Sequence, residues 1–430
     1  MSKCIVIGGG FAGLSAAAYL ASSDIDVHLL EASPKLGGRA YSFLDKSHNE
    51  FIDNGQHILM GCYKYSLDFL KLIGAEDTLF YQENLELILV SKGGKEDILR
   101  APDIFYPLNL LLAILQFKPF NIKDKLSLIT FMIKLMFISR KNIKELTVDE
   151  WLKQNGQEGR INDFLWEILA VGALNNSTKN ASAAIFYDIL KTIYYSGNKS
   201  ATLIIPKNDL NNVYCKQAEN FIVKKGSAVS LNERAIELIT ENGKIVALRT
   251  NKNLYEDFEY IISAVPHFAL KKIINNGIDN IKDNLFQYSS ILSMHIWLKN
   301  NPFKEKFYGL VKSKVHWVFN HNSFITLVIS NADSFIKFSA DYLSQLLLKE
   351  LEDYFQYFNK DLVTGYRIIK EKRATFIPSI YFDKNRSAII SNYENLILAG
   401  DWTNTGLPST IESAVKSGTK AAEYLISGKK

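Results

Sequence analysis

Cysteine is nearly absent from this chain: Cys4, Cys62 and Cys215 are the only three in 430 residues. Isolated and odd in number, they exclude a disulfide framework and any zinc-type ligand spacing. Cys4 lies in an apolar run and is expected as a buried core thiol, which fits a reducing cytoplasm. No uncharged apolar run reaches the ~18 residues that a membrane span needs. No charge of one sign dominates either. Lys and Arg number 50 against 45 Asp and Glu, a formal +5 without clusters, so nucleic acid is not an expected partner. Low-complexity segments and internal repeats are also missing. With 47% apolar residues the chain can bury a sizeable interior, and its length calls for two domains rather than one.

What is present begins at Lys3. The apolar strand Cys4-Ile5-Val6-Ile7 runs into Gly8-Gly9-Gly10-Phe11-Ala12-Gly13, a small-residue helix follows, and a second strand, Val27-His28-Leu29-Leu30, ends on Glu31. Strand, G-x-G-x-x-G, helix, strand and acid in this order form the dinucleotide-binding fingerprint. Gly8 permits the tight turn, Gly10 the approach of a pyrophosphate, and Gly13 the close packing of helix on strand. The phosphates then meet free N–H groups, including that of Ala12, at the positive end of the helix. A carboxylate at Glu31 accepts from both ribose hydroxyls and repels a 2′-phosphate, so the nucleotide is FAD or NAD rather than NADP. The same segment imitates a secretory leader, with a lysine, an apolar run and Ala16-Ala17-Ala18. Cleavage would destroy the nucleotide site, so the terminus reads as mature.

The pattern along the chain predicts an α/β fold. A discontinuous Rossmann-like FAD-binding domain takes 1–75, 208–266 and 385–430, and a mixed α+β substrate domain takes 76–207 and 267–384. After the first βα unit a loop is expected. A helix follows over 62–75, then a hairpin of 85–90 with 95–99 around Gly93-Gly94. A long helical stretch covers 108–146, with further helices over 156–195 and from 214. Strands are expected at 228–231, 235–240, 245–250 and 260–265, with Asn242-Gly243 as a tight turn. Sheet-like stretches at 285–298 and 315–330, a helix over 341–358, the strand 396–399 and a terminal helix complete the reading.

Three further clusters carry chemistry. Gly37-Gly38-Arg39 offers a second close backbone approach and a planar guanidinium for phosphate. Asp53-Asn54-Gly55-Gln56-His57 gathers polar groups around a glycine, suited to a flavin edge or a polar substrate group. Ala399-Gly400-Asp401-Trp402-Thr403 follows a buried strand, where Asp401 can meet a ribityl hydroxyl. A helix beginning near Ser409 then points its positive end at the cofactor ring. Ser409-x-x-Glu412 reads as a capping box, which removes Glu412 from the catalytic candidates.

These strings carry a resemblance. The fingerprint with Glu31, Gly37-Gly38-Arg39, Ala264-Val265-Pro266 and the closing Ala-Gly-Asp resemble the flavin amine oxidase and phytoene desaturase superfamily. Asp53-Asn54-Gly55-Gln56-His57 with Gly61-x-Tyr63, Arg373-Ala374-Thr375-Phe376 with Pro378, and Gly400-Asp401-Trp402-Thr403-x-Thr405-Gly406-Leu407-Pro408 resemble the hydroxysqualene dehydroxylase family more narrowly. The likeness covers both ends of the chain, the middle only in general character. It implies that Gly8, Gly10 and Gly13 hold the pyrophosphate, Glu31 the adenosine ribose, and Arg39 the phosphates or flavin. It places Ala235 where a valine backbone usually meets adenine, Asp401 on the ribityl chain, and the helix start at Ile411 beside the flavin. Ser413 stands where a glycine is common and is expected to narrow the approach to the ring.

The implied reaction turns hydroxysqualene into squalene, with hydride from reduced flavin and loss of water. A proton must reach the departing hydroxide, and His57 is the candidate acid, oriented by Asp53 or Gln56. Aromatic side chains suit a developing allylic cation. With no second G-x-G-x-x-G, the electron donor is left open between an external reductase and a visiting nicotinamide. The 108–146 stretch pairs Lys118, Lys123, Lys125, Lys134, Arg140, Lys141 and Lys144 with broad apolar faces. It reads equally as a core helix or as a contact with the inner face of the cytoplasmic membrane. Two other functions share these residues: a carotenoid-type desaturase, with the hydride running the other way, and a non-catalytic flavin- or isoprenoid-binding protein. Amine oxidation fits less well, because Trp402 lacks an aromatic partner for the sandwich that chemistry uses.

Overall fold

A computed structural model describes residues 3–428 apart from 275–276, 279–280 and 282–284. Its first sheet has five parallel strands in the order Ala228–Ser230, Asp26–Leu30, Lys3–Ile7, Tyr260–Ser263, Leu396–Leu398. Strands from the start, middle and end of the chain thus share one sheet, as the Rossmann-like reading expects. Parallel strands covered on both faces read as near-continuous apolar runs, and alternate residues feed opposite cores. Cys4 and Val6 enter the core beneath helices Phe11–Ser22 and Ile411–Ser427. Ile5 and Ile7 enter the core on the other side, against Leu238 and Leu248. These two belong to an antiparallel sheet of Ala235–Glu241, Lys244–Thr250 and Leu254–Tyr255. Its first hairpin turns at Asn242 and Gly243, with φ of 48° and 78°, the backbone that an Asn-Gly turn requires.

A seven-stranded sheet forms the second layer. Its order is Val363–Phe376, Tyr288–Leu298, Phe324–Ile329, Trp317–Asn320, Phe307–Leu310, Glu86–Ser91, Lys95–Arg100. Leu292, Met294 and Ile296 face helix Ala340–Tyr354 through its Leu343, Leu347 and Leu351. The alternate residues Ser293 and His295 face the opposite way, toward the 53–57 segment. Helices Leu108–Gln116, Ile122–Phe137, Val148–Gln154, Glu167–Leu174 and Ala183–Tyr195 share a separate core built on Phe131, Trp151, Trp166 and Phe186.

The structure departs from the sequence reading in places. The 108–146 stretch is broken: the first helix stops at Gln116, Pro119 sits in the link, and Asn121 with Asp124 forms a capping box for the next helix. The expected loop after Glu31 contains a hairpin, Ser42–Asp45 with Glu50–Asp53. The 14-residue strand Val363–Phe376 was not expected. It lies at the sheet edge, and its Arg367, Lys370, Glu371, Lys372 and Arg373 mask the apolar alternation while discouraging edge-to-edge pairing.

Candidate functional site: a dinucleotide cradle and its neighbouring polar pocket

The first glycine loop closes where the parallel strands end. Gly8 has φ 107°, and its N–H donates to Leu30 O at 2.8 Å. A Cβ at Gly13 would lie 1.8 Å from Gly8 O, so helix and strand approach as closely as glycine allows. Gly10 is the N-cap of helix Phe11–Ser22. No side chain caps that helix, and no acid stands in its first turn. The N–H groups of its first turn, Ala12 and Gly13 among them, are therefore not taken up by a cap. Glu31 sits beside them, accepting from Gly9 N at 2.6 Å and Ser33 N at 2.8 Å. Ala235 opens the neighbouring strand. The two segments run together, with Glu31 N donating to Ser230 O and Glu233 N to Glu31 O.

The Gly37-Gly38-Arg39 loop docks on this turn. Gly37 N donates to Gly9 O at 2.8 Å, and a Cβ at Gly38 would come within 3.1 Å of Gly10 Cα. The Tyr214 hydroxyl donates to Gly37 O and Ala40 O while its ring stacks on Phe11 at 3.7 Å. Asn54 fastens the loop from the other side: its Nδ2 donates to Arg39 O, and its Oδ1 accepts from Tyr41 N. Neither Tyr214 nor Asn54 was singled out for this role. An Asn inside a polar string gave a weak sign, and a core tyrosine gave none.

Arg39 reaches across to the C-terminal segment and pairs with Asp401 at 2.5 Å. Burial alone would raise the Asp401 carboxyl. The Arg39 guanidinium and the hydrogen bonds from Arg39 and Ser409 outweigh it and hold the group below the usual carboxylate range. Gly400 has φ 132°, and its N–H donates to Ser417 Oγ. Arg386, also missed, is buried and donates to the carbonyls of Leu407 and Asp401 and to Thr405 Oγ1. It buckles the 401–407 loop, and burial pulls its guanidinium down to about 10.

Two expectations at the terminal helix are corrected. The N-cap is Thr410, whose side chain accepts from Ser413 N, and Ile411 is the first helical residue. Ser409 instead donates to Asp401. Glu412 does not reach back to its own cap. It accepts from Tyr65 N, Ser66 N and Ser66 Oγ, capping the helix Lys64–Leu72. Ser413 is fully buried and pairs with Thr405 Oγ1 at 2.6 Å, so its hydroxyl is taken up within the protein.

The 53–57 segment seats against the large sheet. The His295 Nε2–H donates to Asp53 O, and a Cβ at Gly55 would meet Ser293 Oγ at 3.4 Å. The Asp53 carboxyl has partners other than His57: it accepts from Ser42 Oγ at 2.7 Å and Leu210 N at 3.1 Å, and burial pushes it up to about 6. His57 Nδ1 is buried without a hydrogen-bond partner among the described residues, as is Ser293 Oγ. Burial drops the His57 imidazole to about 4, well below the usual histidine range. Gln56 is half-buried beside it. Trp402 is core, buried with its Nε1–H on Val265 O.

A dinucleotide fits these residues. Arg39 keeps 41% of its side chain accessible beside its pair with Asp401. Uncapped N–H groups, two facing glycines and a carboxylate at the strand end gather at one turn, on which the loop carrying the Arg39 guanidinium docks.

Known proteins are similar to this chain in sequence and fold. The family described as flavin containing amine oxidoreductase matches residues 11–426. A hydroxysqualene dehydroxylase of Zymomonas mobilis is 25% identical, covering 99% of this chain and 100% of its own. That of Rhodopseudomonas palustris is 26% identical, covering 99% of each. Among solved structures, an oxidoreductase from Methanosarcina mazei superposes with a TM-score of 0.76 at 15% identity, over 98% of this chain and 100% of its own. The chain belongs to the family of flavin-containing amine oxidoreductases, and it is an FAD-dependent oxidoreductase.

Proposed function

We propose that this enzyme reduces hydroxysqualene to squalene with loss of water. One observation carries the reading. The cradle adjoins a joint where His57 Nδ1 and Ser293 Oγ lie buried and unpaired, on a sheet whose other surroundings are largely apolar. Buried polar atoms without partners are unfavourable by about 1–3 kcal/mol each. A hydrocarbon bearing a single hydroxyl supplies the missing partner and leaves the apolar walls satisfied. The likeness to the two dehydroxylases supports the same substrate.

In this reading FAD, when bound and reduced, supplies hydride. The N–H groups behind Gly10, at Ala12 and Gly13, hold the pyrophosphate, with Gly8 and Gly38 giving the room. Glu31 meets the ribose, Ala235 the adenine, Asp401 the ribityl chain, and Arg39 the phosphates. Gly400 and Ile411 set the backbone beside the ring. The neutral His57 hydrogen-bonds the substrate hydroxyl and steers it. Water forms from the departing hydroxide and a proton delivered through His57 from solvent. Asp53 sets the backbone through His295, and Gln56 lies next to His57 at the same joint. Reducing equivalents come from a donor outside the chain. The cradle unit comprises 1–75, 208–266 and 385–430, and the substrate unit the remainder.

Anaerobic enzyme reduced by dithionite and mixed with hydroxysqualene tests this. Return of the oxidised flavin spectrum with squalene as product supports it. Flavin bleaching by phytoene-type polyenes, with no reaction of hydroxysqualene, assigns desaturation instead. A bound flavin that neither substrate changes marks a non-catalytic binder.

A further inference from the structure

The helix Ile122–Phe137 has two apolar faces. Leu128, Phe131 and Leu135 are buried in the core. The other face is bare: Ile122 is 78% exposed, Leu126 61%, Ile133 54%, Met136 55% and Phe137 81%. At 3.6 residues per turn these five occupy an arc of about 100°. The same rotation puts Lys125, whose Nζ donates to Leu115 O, on one margin of the stripe and Lys123 with Lys134 on the other. Asp124 points away from it. Beside the second margin runs a shallow, mainly apolar groove lined by Ile122, Lys123, Leu126, Ser127, Thr130 and Lys134. The preceding helix, Leu108–Gln116, adds exposed Leu108 and Leu115, and Phe105 stands 71% exposed just before it. Contiguous exposure on this scale marks a contact surface. Among the described residues no helix is long and apolar enough to cross a membrane.

We propose that this helix pair docks on the surface of an anionic lipid bilayer. The stripe enters the acyl boundary, and the flanking ammonium groups meet headgroup phosphates. Charge complementarity selects lipid as the occupant. An apolar stripe with lysines along both margins matches a plane of acyl chains beneath a plane of phosphates. Arg140 does not take part, being held in ion pairs with Asp188 and Asp383. The inner faces of the same two helices, at Leu110, Ala113, Phe117, Leu128 and Met132, line an enclosed apolar cavity of about 30 Å³.

Flotation of the full FAD-loaded chain tests the docking. Vesicles of equal parts phosphatidylglycerol and phosphatidylcholine should carry it upward, and phosphatidylcholine alone should carry far less. The variant Ile122→Ser/Leu126→Ser/Ile133→Ser/Phe137→Ser changes only exposed positions. It should keep its flavin and melting temperature but partition at least about 100-fold less. Lys123→Glu/Lys134→Glu should weaken binding about 100-fold on the anionic vesicles only. Wild-type protein that ignores anionic vesicles, or a serine variant that floats like wild type, overturns the proposal. Hydroxysqualene turnover in detergent micelles is the separate control. Flotation without that turnover supports the docking and defeats the substrate reading.

Discussion

Gly10 and Gly13, on the same loop, should respond to an added methyl in opposite ways. At Gly13 an added Cβ would lie 1.8 Å from Gly8 O and 3.0 Å from Gly8 C, both rigid backbone. Restoring an ordinary contact requires helix Phe11–Ser22 to retreat by about 1.5 Å. Ten of its twelve residues are buried, and it packs on the terminal helix at Gly418, where a Cβ would itself lie 2.1 Å from Ala12 O. No slack exists on either side, so Gly13→Ala should destabilise the protein by about 3 kcal/mol or more. At Gly10 the nearest atoms to a new Cβ are Gly38 Cα at 3.7 Å and Gly37 O at 4.0 Å. Its φ of −82° with ψ of −177° suits any residue. Gly10→Ala should therefore leave the apoprotein within about 1 kcal/mol of wild type. It places a methyl where the pyrophosphate approaches, and should weaken FAD binding about 100-fold, or about 3 kcal/mol. Urea unfolding of apoprotein gives the first quantity, and flavin fluorescence titration the second. A Gly13→Ala protein as stable as wild type, or a Gly10→Ala protein that binds FAD normally, refutes this account of the loop.

Glu412→Ala should cost about 2–4 kcal/mol in urea unfolding, because two N–H groups and a hydroxyl at the start of the Lys64–Leu72 helix lose their acceptor, while FAD content is retained. A stable but inactive Glu412→Ala would restore it as a catalytic group. Arg386→Met should release the 401–407 loop and raise the rate of FAD loss about tenfold or more, read by dilution into apoprotein-free buffer. Burial lowers His57, His295 and His316 to about 4 and His321 to about 3. The unfolded chain binds these protons first, so stability should fall as pH drops from about 6.5 toward 4, each ring contributing up to about 3 kcal/mol. His57→Gln should flatten part of that slope in denaturant melts taken at successive pH values, and an unchanged slope contradicts the buried neutral ring.

The nucleotide half of the molecule was legible because its constraints are local. Gly8, Gly10 and Gly13 must stand at fixed spacing beside a strand, and Glu31 must end the next one. Parallel strands such as Tyr260–Ser263 betray themselves as unbroken apolar runs. What escaped was set by distant partners. Glu412 satisfied a capping pattern in sequence, yet its carboxylate serves a helix whose Ser66 lies 346 residues away. The burial of His57 was equally hidden: the string shows a polar loop, and only the fold reveals a desolvated ring. Arg386 and Tyr214 fasten cofactor loops through backbone carbonyls, which no motif records. Val363–Phe376 hid behind the charges that protect a sheet edge. The two-faced helix at 122–137 was visible as an apolar pattern, but which face meets the core required the coordinates.

The most direct test of the central claim is a single turnover without oxygen. Purified enzyme with its FAD fully reduced, and no excess reductant, is mixed with excess hydroxysqualene, and flavin absorbance and lipid products are measured together. The account predicts one squalene formed for each flavin reoxidised. Flavin that stays reduced while hydroxysqualene remains intact contradicts it.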